Sequence, residues 1–281
     1  MCGFFNITEI FMDTRILPGE RLDFVNENIS LIQKSDGLTF GTDAYLLAAM
    51  AAGKGRGCDL GAGTGIASLL CAASGKCEKI YAVEIQDEFF DLCQRNAKLN
   101  RLHDKVIPIN KDVREIMPAD TGGEVDFVIS NPPYMSTDSG RGNVSDMKNI
   151  ARREVFGTIS DFAAAAARIL RYGGDFYVVY RPERLCELND ALRHAALEPK
   201  DLVLVCPTAV SAPSLVLVRA RKFGRPGVKI APPLIIYRER GTPPEAPLPA
   251  GERDLGYTEN FARIYRDFSL DHILRQRRKP R

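Results

Sequence analysis

The stretch Ser130-Asn131-Pro132-Pro133-Tyr134-Met135 combines residue types that can hold a planar amine. Asn131 offers a side-chain carbonyl, and Pro132, which has no N–H, still offers its backbone carbonyl. Two such acceptors can bind both hydrogens of one –NH2 group, while the Tyr134 ring gives a face on which a flat group stacks. Hydrogen bonds that favour a pyramidal nitrogen direct its lone pair at an electrophile. The candidate catalytic residues are therefore Asn131, Pro132, Pro133 and Tyr134.

A glycine loop lies upstream, in the stretch Asp59-Leu60-Gly61-Ala62-Gly63-Thr64-Gly65. Glycine lets the backbone turn tightly and approach a ligand where a Cβ would collide. A strand-to-helix turn of any α/β protein can contain glycines, but three alternating glycines after an aspartate favour a ligand site. The pattern differs from the G-x-G-x-x-G of dinucleotide-binding proteins. Because Asp59 would disfavour a phosphate and favour a cationic ligand that carries an amino acid, the loop favours S-adenosylmethionine over NAD.

Two further predicted strand ends carry carboxylates that suit a nucleoside. Glu84 follows the glycine loop by about 20 residues, the spacing at which a carboxylate binds ribose hydroxyls. Asp112 can accept a hydrogen bond from the exocyclic amine of adenine, and Val113 offers a backbone N–H; a cap of the next short helix is the alternative for Asp112. The cofactor-binding residues predicted from these stretches are Asp59, Gly61, Ala62, Gly63, Gly65, Glu84, Ile85, Asp112, Val113 and Asn131.

Composition limits the possible classes of protein. The 281 residues are 45% hydrophobic and 26% charged, which is typical of a globular protein with one large domain or one domain and an extension. A net charge of +2 means that any nucleic-acid footprint must be a local patch. Seven cysteines without a C-x-x-C pair argue against a disulfide scaffold and a zinc site, so no metal is predicted. The three histidines lie outside the motifs, so a Ser-His-Asp triad is not apparent.

The cysteine usage and the absence of a targeting signal indicate a soluble, cytoplasmic protein. Free cysteines in apolar stretches are typical of a reducing compartment. The N-terminal stretch MCGFFNITEIFMD lacks the cationic start of a signal peptide. No apolar stretch approaches the roughly 20 residues that a membrane helix needs.

Predicted strands and helices alternate along the middle of the chain. Strands are expected at 57–60, 79–85, 106–110, 125–130, 174–180 and 202–206. A seventh, at 214–220, follows without a helix and must be antiparallel. The fold class is therefore α/β, a doubly wound, seven-stranded, mostly parallel, Rossmann-like sheet whose last strand is antiparallel. The fourth strand neighbours the first in such a sheet, so the amine-binding stretch should end beside the glycine loop.

The motifs resemble those of class I S-adenosylmethionine-dependent methyltransferases that modify amino nitrogens. They are DLGAGTG (59–65), AVEIQ (82–86), KDV (111–113) and FVISNPPY (127–134). The flanking stretches RLDFVNENISLIQKSDGLTFGTDAYLLAAM and IARREVFGTISDFAAAAARIL are similar to the bacterial tRNA1(Val) adenine-N6 methyltransferase family. Its members methylate the adenosine on the 3′ side of the anticodon. The resemblance covers roughly residues 20–237.

The resemblance implies roles for individual residues and for regions of the chain. It assigns Asn131, Pro132 and Tyr134 to the target amine, and it brings Thr42 and Asp43 near the methionine moiety of the cofactor. A helix cap at Thr42 or Asp43 is the alternative. The predicted regions are an N-terminal extension with possible strands (1–36), a class I methyltransferase domain (37–237) and a Pro/Gly-rich linker with a basic C-terminal tail (238–281).

An RNA substrate, a tRNA by resemblance, is the expected partner. The target base must leave its stack to reach the pocket over Tyr134. The residues predicted to contact the RNA backbone are Arg141, Arg152, Arg153 and Arg181. Arg152 and Arg153 follow the long loop after the amine-binding stretch, which could fold over the substrate.

Two other functions remain open at this point. The side-chain amide of glutamine fits the same two acceptors, so a protein glutamine-N5 methyltransferase of the release-factor type is the alternative. Enzymes of that type carry a helical substrate-binding domain before the glycine motif, whereas the short segment here resembles strand in part. A non-catalytic cofactor- or RNA-binding module would leave the amine site without a use. The sequence leaves the oligomeric state open.

Overall fold

The computed structural model describes residues 15–35, 41–133, 156–243 and 254–275. The strands are β1 (Glu20–Asn26), β2 (Ile29–Lys34), β3 (Arg56–Leu60), β4 (Lys79–Glu84), β5 (Val106–Asn110), β6 (Val125–Ser130), β7 (Leu170–Tyr180), β8 (Leu197–Cys206), β9 (Leu215–Lys222), β10 (Lys229–Ile230) and β11 (Leu234–Ile235). The helices are α1 (Thr42–Met50), α2 (Ile66–Ala73), α3 (Asp87–Leu99), α4 (Ile159–Ile169), α5 (Leu185–His194), α6 (Glu259–Asp267) and α7 (Asp271–Leu274).

The main sheet has the strand order β5-β4-β3-β6-β7-β9-β8. The two-residue strands β10 and β11 both pair with β8. Only β9 runs antiparallel to its neighbours in this sheet. The predicted doubly wound sheet of seven strands is confirmed as β3–β9, and β10 and β11 extend its edge. Strands of two residues are too short to show an alternating pattern in the sequence, so they were not predicted.

Helices cover both faces of the sheet, and this explains the continuous apolar stretches in its strands. Phe127 and Ile129 of β6 pack in one core with α1, α2 and α3. Val128, between them, packs in a second core with α4 and α5. Because successive side chains of a strand point to opposite faces, a strand buried on both sides has few positions for polar residues.

The first helix begins one residue earlier than predicted. Gly41 is its N-cap, with an extended backbone and no side-chain cap, and Thr42 is the first helical residue. The predicted cap at Thr42 or Asp43 was therefore wrong. The Asp43 carboxylate lies in the first turn of α1, where a Cβ on Gly41 would come within 2.4 Å of Asp43 Oδ1. Glycine leaves room for that carboxylate, which then remains available for another partner.

The described part of the C-terminal region packs against α1. Tyr265 of α6 stacks on Tyr45 of α1, with ring centroids 4.4 Å apart. Phe261 and Ile264 of the same helix are buried in the core that contains α1. Residues 254–275 therefore pack on the body of the protein, while 244–253 and 276–281 of the predicted linker and tail lie outside the described residues.

The described residues contain neither a membrane-spanning helix nor a cluster of metal-binding side chains. Within the described ranges, no helix has the length and apolar character needed to cross a membrane. Across the same ranges, no group of three or more His, Cys, Asp or Glu side chains is arranged to hold a metal ion.

Candidate functional site

The ends of four parallel strands align at the carboxyl edge of the sheet. Leu60, at the end of β3, lies beside Ser130 of β6 and Val83 of β4. Glu84 lies beside Asn110 of β5. This register brings the three predicted cofactor segments and the amine-binding stretch to one place, where the strand order changes direction. The cavity there is lined by Gly61, Gly63, Glu84, Ile85, Gln86, Phe89, Asp112, Val113, Pro133, Phe156 and Phe162.

The glycine loop has the backbone conformation that its sequence predicts. Gly63 has φ +55°, and a Cβ there would meet no protein atom within 4 Å, so it would project into open space at the cavity wall. Gly65 has φ +84°, and a Cβ there would come within 2.6 Å of Cys93 Sγ. Residues other than glycine are disfavoured at both positions because φ is positive. At Gly65 a side chain would also collide with α3. A ligand can therefore approach the backbone at Gly63.

Glu84 is fixed beneath the loop by two backbone N–H groups. It is 5% exposed, and its Oε2 accepts a hydrogen bond from Gly63 N at 2.9 Å. Its Oε1 accepts one from Gln86 N at 2.9 Å. Oε1 also accepts a long hydrogen bond from Gln86 Nε2, at 3.5 Å. A carboxylate oxygen has two lone pairs, so Oε2 keeps one for a ligand hydroxyl. Glu84 therefore faces the cavity as a pre-oriented acceptor.

Asp112 caps a short helix, which confirms one of its two interpretations, and its contact with an adenine amine stays a prediction. It caps the short 3-10 helix Val113–Glu115, because its side chain accepts a hydrogen bond from Arg114 N at 2.8 Å. It also lines the cavity, together with Val113. The Arg114 side chain donates a hydrogen bond to the same carboxylate at 2.9 Å, and this bond holds the pKa of Asp112 below its ordinary value.

Asp59 is buried under the glycine loop and is not among the residues that line the cavity. It is 2% exposed, and the Ser68 hydroxyl of α2 donates a hydrogen bond to its Oδ2 at 2.8 Å. Burial raises the pKa of Asp59 to about 7, and the negative charge of Glu84 adds to this rise while Ser68 opposes it. The predicted favourable effect of Asp59 on a cationic ligand would therefore act through space and not by contact.

The raised pKa of Asp59 makes stability depend on pH. The ordinary value is 3.8, so between about pH 4 and 7 the folded state binds more protons at this group than the unfolded state does. Stability therefore falls as the pH rises through that window. We expect Asp59→Asn to raise the unfolding temperature more at pH 8 than at pH 4, by about 2–4 °C for each 1 kcal/mol that the buried charge costs.

Differential scanning calorimetry of wild type and variant at several pH values measures this effect. Asp104→Asn is the matched control, since the Asp104 side chain is 91% exposed. An Asp59→Asn effect that is equal at pH 4 and pH 8 would contradict the assigned pKa.

Asn131 lies beside the glycine loop with its amide held in one orientation. Its Nδ2 donates a hydrogen bond to Asp43 Oδ2 at 3.0 Å. An ionised carboxylate can only accept, so the –NH2 group must face Asp43 and the carbonyl oxygen must face away from it. Ser130 Oγ donates a hydrogen bond to Leu60 O at 2.8 Å, which ties the end of β6 to the start of the loop. Asp43 was predicted near the methionine moiety, and this contact with Asn131 was not foreseen.

The other predicted site residues are placed as follows. Pro132 is buried and Pro133 is exposed at the cavity. Tyr134 lies outside the described residues, as do Arg141, Arg152 and Arg153. Arg181 follows β7 at the same carboxyl edge and is half-buried, with its Nη1 donating to Ser214 O at 3.4 Å, but it does not line the cavity.

Four residues of the cavity wall were not predicted, namely Gln86, Phe89, Phe156 and Phe162. Phe89 lies in the first turn of α3, and Phe162 lies in the first turn of α4. Aromatic residues in helices are usually core residues, and Phe162 is indeed only 2% exposed. The position of Phe89 and Phe162 in the sequence was a usable signal, because both lie in the first turn of a helix that begins at the carboxyl edge of the sheet.

Comparison with known proteins supports the resemblance seen in the motifs. Residues 45–152 match the TRM5/TYW2 methyltransferase domain family. A tRNA1(Val) (adenine(37)-N6)-methyltransferase of Dyadobacter fermentans is 28% identical over 203 residues, which cover 71% of this chain and 82% of that protein. A release factor glutamine methyltransferase of Bacillus cereus is 32% identical over 90 residues, 30% of this chain and 29% of that protein. The predicted resemblance is confirmed, and the glutamine alternative has the shorter match.

Solved structures agree on the fold. The crystal structure of a predicted O-methyltransferase from Agrobacterium tumefaciens has a TM-score of 0.61 and 22% identity, and the likeness covers 81% of this chain and 97% of that one. At this identity the likeness concerns the fold alone, and it confirms the class I methyltransferase architecture.

Proposed function

We propose that this chain, a methyltransferase similar to the bacterial tRNA1(Val) (adenine(37)-N6)-methyltransferases, methylates the exocyclic N6 of an adenine in RNA, with S-adenosylmethionine as the methyl donor. The RNA is a tRNA in this proposal, and the adenine lies next to the anticodon. The observation that supports this proposal most directly is the Asn131 amide, which Asp43 orients beside the glycine loop. A cytoplasmic location is part of the same proposal, because the tRNA substrate is found there.

The residues around the cavity fit the proposed cofactor. The open space at Gly63 admits a ligand against the backbone, and Glu84 offers its carboxylate to a ribose hydroxyl. Asp112 and Val113 are suited to the edge of an adenine, and Phe89 offers an apolar surface. When bound, S-adenosylmethionine supplies a methyl group on a positively charged sulfur.

The amine-binding stretch orients the target amine and does not act as a general base. The Asn131 side-chain oxygen and the Pro132 backbone oxygen accept the two N6 hydrogens of the target adenine. These bonds favour a pyramidal nitrogen, so its lone pair points at the methyl carbon. S-adenosylmethionine held at Gly63, Glu84 and Asp112 would supply the methyl group to this nitrogen, and the proton lost by the nitrogen would pass to solvent. Asp43 keeps the Asn131 oxygen turned toward the substrate.

The extent of the two matches supports adenine over glutamine. The match to the tRNA1(Val) (adenine(37)-N6)-methyltransferase covers 71% of this chain and 82% of that protein. The match to the release factor glutamine methyltransferase covers 30% of this chain and 29% of that protein.

Identification of the methylated product tests the proposal. The protein is incubated with labelled S-adenosylmethionine and either tRNA that lacks the modification or unmethylated release factor. Digestion of the tRNA should release labelled N6-methyladenosine. Label found only in the protein substrate would replace this proposal by glutamine methylation.

A further inference from the structure

The outer edge of strand β2 is paired by side chains of a helix. On its other edge β2 pairs with β1 in the N-terminal hairpin. Asn96 of α3 accepts a hydrogen bond from Ile32 N at 2.7 Å and donates one to Ile32 O at 2.9 Å. Asn100 accepts one from Ser30 N at 2.9 Å and donates one to Ser30 O at 2.7 Å. Two asparagine amides therefore take the place of a neighbouring strand.

The repeat lengths of helix and strand explain why this pairing works. Residues Asn96 and Asn100 are four apart, which is about 6 Å along a helix. Residues Ser30 and Ile32 are two apart, which is about 6.6 Å along a strand. An asparagine side chain carries one carbonyl and one –NH2, the same donor and acceptor as a peptide group. The ion pair between Arg95 and Glu20, at 2.6 Å, adds a further contact between α3 and the hairpin.

The two asparagines differ in where their second amide hydrogen goes. Asn100, the C-cap of α3, donates it to Asn96 O at 2.8 Å. Asn96 donates it to Thr64 O at 3.0 Å, in the glycine loop. Asn96 is also 0% exposed, so no water competes for these bonds. Of the two amides, only that of Asn96 joins the hairpin to the loop.

The glycine loop is consequently held by side chains at successive residues. Glu84 accepts from Gly63 N, and Asn96 donates to Thr64 O. Glycines have many accessible conformations, and fixing a residue costs about 1–2 kcal/mol of conformational entropy. A loop that is already fixed before binding avoids part of that cost when the ligand arrives.

We propose that Asn96 is a positioning residue of the cofactor site, and that the N-terminal hairpin contributes to cofactor affinity through it. The inference rests on the proposed function in one respect, that the glycine loop binds S-adenosylmethionine. It assigns a role to residues that do not line the cavity. Anchored on Ile32, Asn96 holds the Thr64 carbonyl, and this keeps Gly63 and Gly65 in the binding conformation.

The test compares Asn96→Ala with Asn100→Ala in the full-length chain. Both remove hydrogen bonds to β2, but only the first removes the bond to the loop. We expect a comparable loss of thermal stability in both. Calorimetric titration with S-adenosylmethionine should show about tenfold weaker binding for Asn96→Ala, the effect of one lost hydrogen bond, and a change within about twofold for Asn100→Ala.

Kinetics separate positioning from damage to the fold. For Asn96→Ala the KM for the cofactor should rise while kcat at saturating cofactor is retained. Equal loss of affinity in the two variants would overturn the proposal, as would unchanged affinity in Asn96→Ala. If the alanine variants fail to fold, Asn96→Asp and Asn100→Asp provide the same comparison, because aspartate keeps the acceptor and removes the donor. A protein that binds the cofactor but yields no N6-methyladenosine would reject the proposed function and leave this inference standing.

Discussion

Replacement of Asn131 by alanine is expected to lower the rate of methyl transfer by about 10²–10³-fold and to leave cofactor binding nearly intact. The variant loses the side-chain acceptor that holds one N6 hydrogen of the proposed substrate. Removal of one pre-oriented hydrogen-bonding group from an active site costs about 10²–10³-fold in kcat. Single-turnover transfer of labelled methyl groups to unmodified tRNA measures the loss, and titration with S-adenosylmethionine measures the binding.

A matched control is available at another strand end of the same sheet edge. Asn110 ends β5, and its side chain donates a hydrogen bond to Asp87 at 2.6 Å without lining the cavity. Asn110→Ala should therefore retain activity. Asp43→Asn tests the orientation argument, since an amide can present either atom to Asn131, and a smaller loss of kcat than in Asn131→Ala is expected. Loss of cofactor affinity in Asn131→Ala would mean that Asn131 belongs to the cofactor site and not to the amine site.

Replacement of Glu84 by glutamine is expected to weaken cofactor binding by about 100-fold. The carboxylate accepts hydrogen bonds from Gly63 N and Gln86 N, and Glu84 lines the cavity. A glutamine has one –NH2 in place of an oxygen, so it cannot accept from both N–H groups. Hydrogen bonds to charged groups contribute about 1.5–3 kcal/mol, and each 1.4 kcal/mol is a factor of ten in affinity.

Titration with S-adenosylmethionine and the KM for the cofactor provide the measurement. Glu88→Gln is the control, because it is the same chemical change at a position four residues away. Glu88 lies on the exposed part of α3, where it pairs with Lys34. Turnover that falls at saturating cofactor with affinity unchanged would argue against a ribose-binding role for Glu84.

The sequence alone was sufficient to predict the strands of the sheet and the edge at which the motifs meet. Strands alternate with helices, and parallel strands all present their carboxyl ends at one edge. For that reason the sequence predicts that the glycine loop, Glu84, Asp112 and Asn131 lie at one edge of the sheet. The conformation of Gly63 and Gly65 followed from residue type, because glycine is the residue that adopts positive φ readily.

Contacts between distant segments could not be predicted in this way. The amide orientation of Asn131 depends on Asp43, and no local pattern links a helix start to a strand end so far along the chain. Phe89 and Phe162 have the sequence pattern of core residues, and they form a cavity wall only because two helices begin at the same edge.

The sequence by itself determined the α/β class, the strand that carries the amine-binding residues and the loop that meets it, since these depend on periodicity and on residue type. Only the tertiary structure decided how the side chains are held. The burial of Asp59 under the loop, its contact with Ser68 and the link from Ile32 through Asn96 to Thr64 depend on packing. Hydrogen-bond partners brought together by packing have no fixed separation in the sequence, whereas the elements that carry them do.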